Sequence, residues 1–158
     1  MATVFAAKAL LPDGWRDNVR LTLEDGQISK VEAAAKQSDI DEVTGFVIPG
    51  LCNAHSHAFQ RALAGHTEQR SPAGRDSFWT WRERMYELAG SVNASALTAI
   101  AREAYCEMLV SGYSSVAEFH YLDRVPDDPE RQDTLLKALM EAAHDSGIRL
   151  VYVPVLYE

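Results

Sequence analysis

The sequence predicts an α/β protein in which a small β unit leads into a parallel sheet built from βα repeats, the opening part of a barrel. Three observations predict it. Turn residues separate short strand-like segments over the first 45 positions, a near-continuous apolar run occupies residues 46–51, and two helical periodicities are each followed by a strand-like segment. The rhythm stops at Glu158 with three such strands counted, in the middle of the pattern, as a truncated barrel would.

Residues 3–9 and 19–23 read as strands around a Pro12-Asp13-Gly14 turn, and residues 27–32 as a third. The Asp25-Gly26 pair between the last two is a hairpin signal, because the tight turn needs positive φ and glycine supplies it without strain. After a polar stretch at 35–44, the run at 46–51 suits a strand covered on both faces. Asp76 or Ser77 can cap a helix over about 78–89, with Phe78, Arg82, Met85 and Ala89 on one face. Leu97, Ile100, Ala101, Ala104 and Met108 repeat at helical spacing, and Gly112 stands where a left-handed C-cap is wanted. Residues 114–120 read as a strand. Leu135, Leu136, Leu139, Met140 and Ala143 mark a further helix closed by Gly147, and residues 149–157 read as the last strand. Parallel strands need crossovers of this kind.

Over 158 residues, 47% hydrophobic and 24% charged content is ordinary for a soluble globular protein. The net charge of -8 argues against nucleic acid or an anionic membrane as a partner, since either needs a basic surface. No run of apolar residues is long enough to span a bilayer, and the first residues lack the pattern of a signal peptide, so a cytoplasmic location is expected. Cys52 and Cys106 lack CxxC spacing and read as buried thiols.

In a strand, side chains i and i+2 share a face, so His55 and His57 project together with Asn53 one step behind. At the C-terminal end of a parallel strand, two imidazoles aimed at one point are half of a site for a divalent metal. Spacing alone also admits an accidental histidine pair; the apolar block before it, which fixes a strand and a turn, favours the metal. Buried on an apolar helix face, Arg82 needs a carboxylate partner, either a structural ion pair or a substrate, unless its stem snorkels to solvent.

The stretch from Phe46 through Pro49-Gly50-Leu51-Cys52-Asn53-Ala54-His55-Ser56-His57 resembles the first barrel strand of the amidohydrolase superfamily. Ala58-Phe59-Gln60-Arg61-Ala62-Leu63, the Phe78-Trp79-Thr80-Trp81-Arg82 segment and Ala117-Glu118-Phe119-His120-Tyr121 are similar to its formimidoylglutamate deiminase family. The resemblance implies a β-sandwich portion over residues 1–45 and the first part of a distorted (β/α)8 TIM-type barrel over 46–158. It implies one divalent metal, with zinc the best fit, held by His55 and His57, and substrate contacts from Gln60, Arg82 and Tyr121. The implied reaction takes N-formimino-L-glutamate, a dicarboxylate amidine, to N-formyl-L-glutamate and ammonia in histidine degradation, in a homo-oligomer, expected to be a dimer.

The remaining ligands and the histidine that shuttles protons are expected beyond Glu158, so residues 1–158 alone are expected to be inactive. Two other readings stand beside this one: a deaminase of guanine or a related ring, recruiting Trp79 and Trp81, and a non-catalytic truncated remnant. Tyr121 faces the site only if its strand ends before it, because Glu118 and His120 share the opposite face. His120 is expected to be a core or supporting histidine, and His66 and His144 to face solvent or a helix end. After Tyr121 the chain reads Leu122-Asp123-Arg124, where the family often carries histidines.

Overall fold

Strand β1 (Ala2–Leu11) reverses at Pro12-Asp13 into β2 (Gly14–Glu24), and the two pair antiparallel from Ala2↔Leu23 to Leu11↔Gly14. Asp25 and Gly26 take φ of 50° and 74°, which is the double left-handed turn that a two-residue hairpin requires. The chain then returns as β3 (Gln27–Glu32). Strand β4 (Glu42–Val47) joins the far edge, parallel to β1, giving the order β3-β2-β1-β4. One face of this sheet is dry: Ala6, Ala9, Val19 and Leu21 are buried, with Val4, Leu11 and Val47 packed on them. The computed structural model describes residues 1–67, 77–122 and 129–155. Its two compact units are Met1–Pro49 and Gly50–Glu158.

The apolar run at 46–51 is not one strand, which corrects the expectation of a strand covered on both faces. Phe46 and Val47 finish β4 opposite Lys8 and Ala9, Pro49 has no N–H to give a ladder, and β5 (Leu51–Ser56) begins two residues later. Phe46, Ile48 and Leu51 accordingly remain 70%, 55% and 47% exposed.

The second unit is a parallel sheet in the order β5-β6-β7, with β6 at Tyr113–His120 and β7 at Arg149–Pro154. Its helices are α1 (Phe78–Ser91), α2 (Ala94–Val110) and α3 (Pro129–Ser146), and a 3-10 segment, Ala58–Leu63, follows β5. Ser77 stands at the N-cap of α1, its backbone N–H donating to Thr80 Oγ1; Asp76, the other capping candidate, lies outside the described residues, as do Asp123 and Arg124. Gly112 and Gly147 both have positive φ, 90° and 83°, just past α2 and α3. The core joins Leu97, Ala101 and Tyr105 of α2 to Leu135, Leu139 and Ala142 of α3 and Val116 of β6, every one 1% exposed or less.

Both cysteines are exposed, against expectation. Cys106 is rotated about 100° from buried Tyr105 on the helix, onto the side that carries exposed Arg102 and Glu103. Cys52 lies in a part of β5 where Leu51 and Ala54 are exposed too. Among the described residues no helix is long and apolar enough to cross a membrane.

Candidate metal centre

β5 ends at Ser56, and its register on β6 shifts between Asn53 and Ser56, so His57 stands just past the ladder. Asn53 Oδ1 accepts from the His55 backbone N–H at 3.2 Å and steadies the irregular stretch. The two imidazoles meet at 89° with Nε2 facing Nε2 at 3.0 Å. His57 Nδ1 lies 2.7 Å from the Phe119 carbonyl oxygen. A carbonyl only accepts, so Nδ1 carries the hydrogen and the neutral ring keeps its lone pair on Nε2, toward His55. Partial burial pulls the His57 pKa below the usual histidine value, which the Phe119 hydrogen bond opposes and His55 reinforces. His55 is stacked on the Phe119 ring at 4.4 Å and 24°.

The donor set fits a divalent ion. Two nitrogens on a tetrahedral metal at about 2.0–2.1 Å stand roughly 3.3 Å apart, a few tenths of an ångström more than the separation seen. Among the described residues no group of three or more His, Cys, Asp and Glu converges, and the pair offers two nitrogen donors.

Gln60 and Tyr121 lie beside the pair. Gln60 Nε2 donates to the Tyr121 hydroxyl at 2.7 Å, and the Tyr121 ring sits 4.8 Å from the His57 ring at 73°. β6 ends at His120, and the face of Phe119 and Tyr121 is the one that meets the histidines. The Tyr121 hydroxyl also reaches Met85 Sδ of α1 at 3.7 Å. Arg82, three residues before Met85, is half-buried on the same helix; its Nη2 donates to the Tyr86 hydroxyl at 3.1 Å and its guanidinium lies over the Trp79 and Tyr86 rings at 5.6 and 5.1 Å. This holds the guanidinium by its faces.

Glu118 and His120 point the other way, into the core, at 1% and 2% exposure, His120 beside Tyr152. Glu118 Oε1 accepts from the Ala58 backbone N–H at 2.6 Å. Burial raises the Glu118 pKa, opposed first by that hydrogen bond, and burial likewise lifts the Tyr105 hydroxyl well above its ordinary range. Glu118 Oε2 and the Tyr105 hydroxyl are both buried without a fully formed hydrogen bond. Sequence reasoning passed over Glu118, Phe119 and Met85; only Glu118, an ionisable residue on the inward parity of an apolar strand, left a signal. His66 is exposed and its carbonyl accepts from Arg84, while exposed His144 lies near the end of α3 beside Asp145.

This strand-end histidine pair on a parallel βα sheet is accompanied by a match of residues 46–157 to the amidohydrolase family, and the chain belongs to that family. Residues 1–44 match the N-terminal domain of formimidoylglutamate deiminase HutF. The chain is 42% identical over 160 residues to the formimidoylglutamate deiminase of Pseudomonas aeruginosa, covering 99% of this chain and 35% of that one. It is 29% identical over 108 residues to the 8-oxoguanine deaminase of the same organism, 65% of this chain and 23% of that one. Among solved structures, an amidohydrolase from Brucella melitensis superposes with a TM-score of 0.90 at 38% identity over 99% of this chain and 35% of its own, which bears out the α/β class. The zinc complex of atrazine chlorohydrolase TrzN from Arthrobacter aurescens shares the fold, with a TM-score of 0.70 at 18% identity over 98% of this chain and 35% of its own. The chain thus spans about a third of the length of the relatives it matches.

Proposed function

We propose that this chain supplies the first part of a metal-dependent hydrolase that converts N-formimino-L-glutamate to N-formyl-L-glutamate and ammonia. The observation that carries the reading is the convergence of His55 and His57 Nε2 atoms, set by the Phe119 carbonyl, in a chain 42% identical to a formimidoylglutamate deiminase. His55 and His57 would hold one divalent ion, zinc by donor type. Such an ion, when bound, brings the pKa of a coordinated water to about 7 and offsets the negative charge that develops on the substrate.

The chain's own residues do the rest of what is proposed here. The Phe119 carbonyl keeps the proton of His57 on Nδ1. The Gln60 amide and Tyr121 hydroxyl sit beside the pair as donors and acceptors for polar substrate atoms. Arg82, held by its faces, has a fork suited to a carboxylate, and a glutamate-derived amidine brings two. In the net reaction water adds to the formimino carbon, a C=O bond forms, and the C–N bond to the departing nitrogen breaks with ammonia leaving. The proposed setting is a cytoplasmic homodimer of a barrel protein with the other ligands beyond Glu158.

The test is turnover by the complete gene product with N-formimino-L-glutamate beside guanine and 8-oxoguanine. Ammonia release from the amidine alone is expected. Arg82→Ala should lower kcat/KM for it on the order of 100-fold, the loss of a charged hydrogen-bonded pair. Turnover of a purine in preference to the amidine would reject the proposal.

A further inference from the structure

The loop that carries His57 is tied to β6 twice, by adjacent residues. The Phe119 carbonyl takes the imidazole Nδ1–H, and the Glu118 carboxylate takes the N–H of Ala58, the residue after His57. The second tie stands where a backbone ladder has just run out. Ser56↔Glu118 is the last pair of β5 with β6, and the register is already irregular between Asn53 and Ser56. The next N–H beyond Ser56 that turns back to β6 finds a carboxylate oxygen instead of a carbonyl. That carboxylate is 1% exposed and surrounded by Ser56, Tyr105 and the core of α2, where a methionine or leucine would fill the same volume without the cost of burying an acid. Ser56 and Tyr105 also interact with this acid, but the 2.6 Å bond from the Ala58 N–H is the one that ties it to the loop after His57.

We propose that Glu118 is a positioning residue: by holding the Ala58 N–H it fixes the backbone of His57, so that His57 Nε2 meets His55 Nε2 at one point. Phe119 sets the rotation of the ring, and Glu118 sets where the ring starts from. The inference rests on the reading of His55 and His57 as a metal pair.

It is tested by the zinc affinity of the complete protein, measured with zinc ion alone against chelators of graded strength. The set is wild type, Glu118→Met, Glu118→Gln, His55→Ala and His57→Ala. Methionine keeps length and packing but accepts no N–H; glutamine keeps the acceptor. Glu118→Met should bind zinc about 10–100-fold more weakly, and Glu118→Gln should recover to within about threefold of wild type. A role in packing alone would not distinguish the two in that order. Glu118→Met binding like wild type, or glutamine failing to rescue, overturns the inference. If the histidine variants also bind like wild type, it is the metal pair that has failed, and this inference falls with it. Should Glu118→Met not fold, hydrogen exchange at the Ala58 amide decides. Slow exchange in wild type and Glu118→Gln supports the tie, and exchange at open-loop rates overturns it.

Discussion

Arg20 meets Asp41 through one edge of its guanidinium: Nε lies 3.0 and 3.1 Å from the two carboxylate oxygens and Nη2 2.8 Å from Oδ2, which also accepts from the Ser38 N–H at 2.7 Å. The Arg20 bond brings the Asp41 pKa down to about 2. A carboxyl held lower in the folded than in the unfolded state stabilises the fold above its unfolded value, near 3.9, and that contribution is lost as pH falls toward 2. Asp41→Asn should therefore lower the melting temperature at pH 7 and flatten its decline between about pH 4 and pH 2, as thermal unfolding at a series of pH values would show. A parallel decline in the variant and wild type would exclude Asp41 as the source. At this scale the sequence was legible where spacing does the work. His55 and His57 are two apart, a spacing that puts both on one side of the strand end. Glu118 was not, because strand parity says which way its carboxylate points but not that the chain curls back after Ser56 to meet it.

For elements, the hairpin at Asp25-Gly26 and the stops at Gly112 and Gly147 were readable because each demands a left-handed residue at one place. The run at 46–51 was misread because hydrophobicity does not say which sheet a residue joins. The pairing of β4 with β1 depends on contacts nearly forty positions away. The junction also makes a steric demand. A Cβ on Gly50 would stand 2.6 Å from Ser114 Cβ and 2.2 Å from its Oγ, and rotating the hydroxyl relieves only the second contact. Gly50→Ala should cost about 1–3 kcal/mol, the usual range for overpacking, and Ser114→Gly in the same chain should recover most of it. Chemical denaturation of the single and double variants checks this; equal midpoints for Gly50→Ala and wild type would show that the site yields freely.

On the scale of the whole molecule, a chain that spans 35% of the length of its relative carries the two imidazoles proposed as metal ligands, and among the described residues no group of three or more His, Cys, Asp and Glu forms around them. Two nitrogens hold zinc far less tightly than a full shell. Purified residues 1–158 are therefore expected to lose zinc to a chelator that leaves the complete protein loaded, and to release no ammonia from N-formimino-L-glutamate at a rate near that of the complete protein. Retention of zinc against that chelator would show that the shell is filled from this chain. The βα rhythm gave away the parallel sheet, but the ring orientation at His57 was hidden because it comes from a strand far along the chain. That separation has a meaning in time. Phe119 and Glu118 follow His57 and Ala58 by 62 and 60 residues. On a ribosome adding about 5–20 residues per second, the two imidazoles are made roughly 3–12 s before the groups that aim them. The two histidines are thus written early in synthesis, and their aim is set only when β6 arrives.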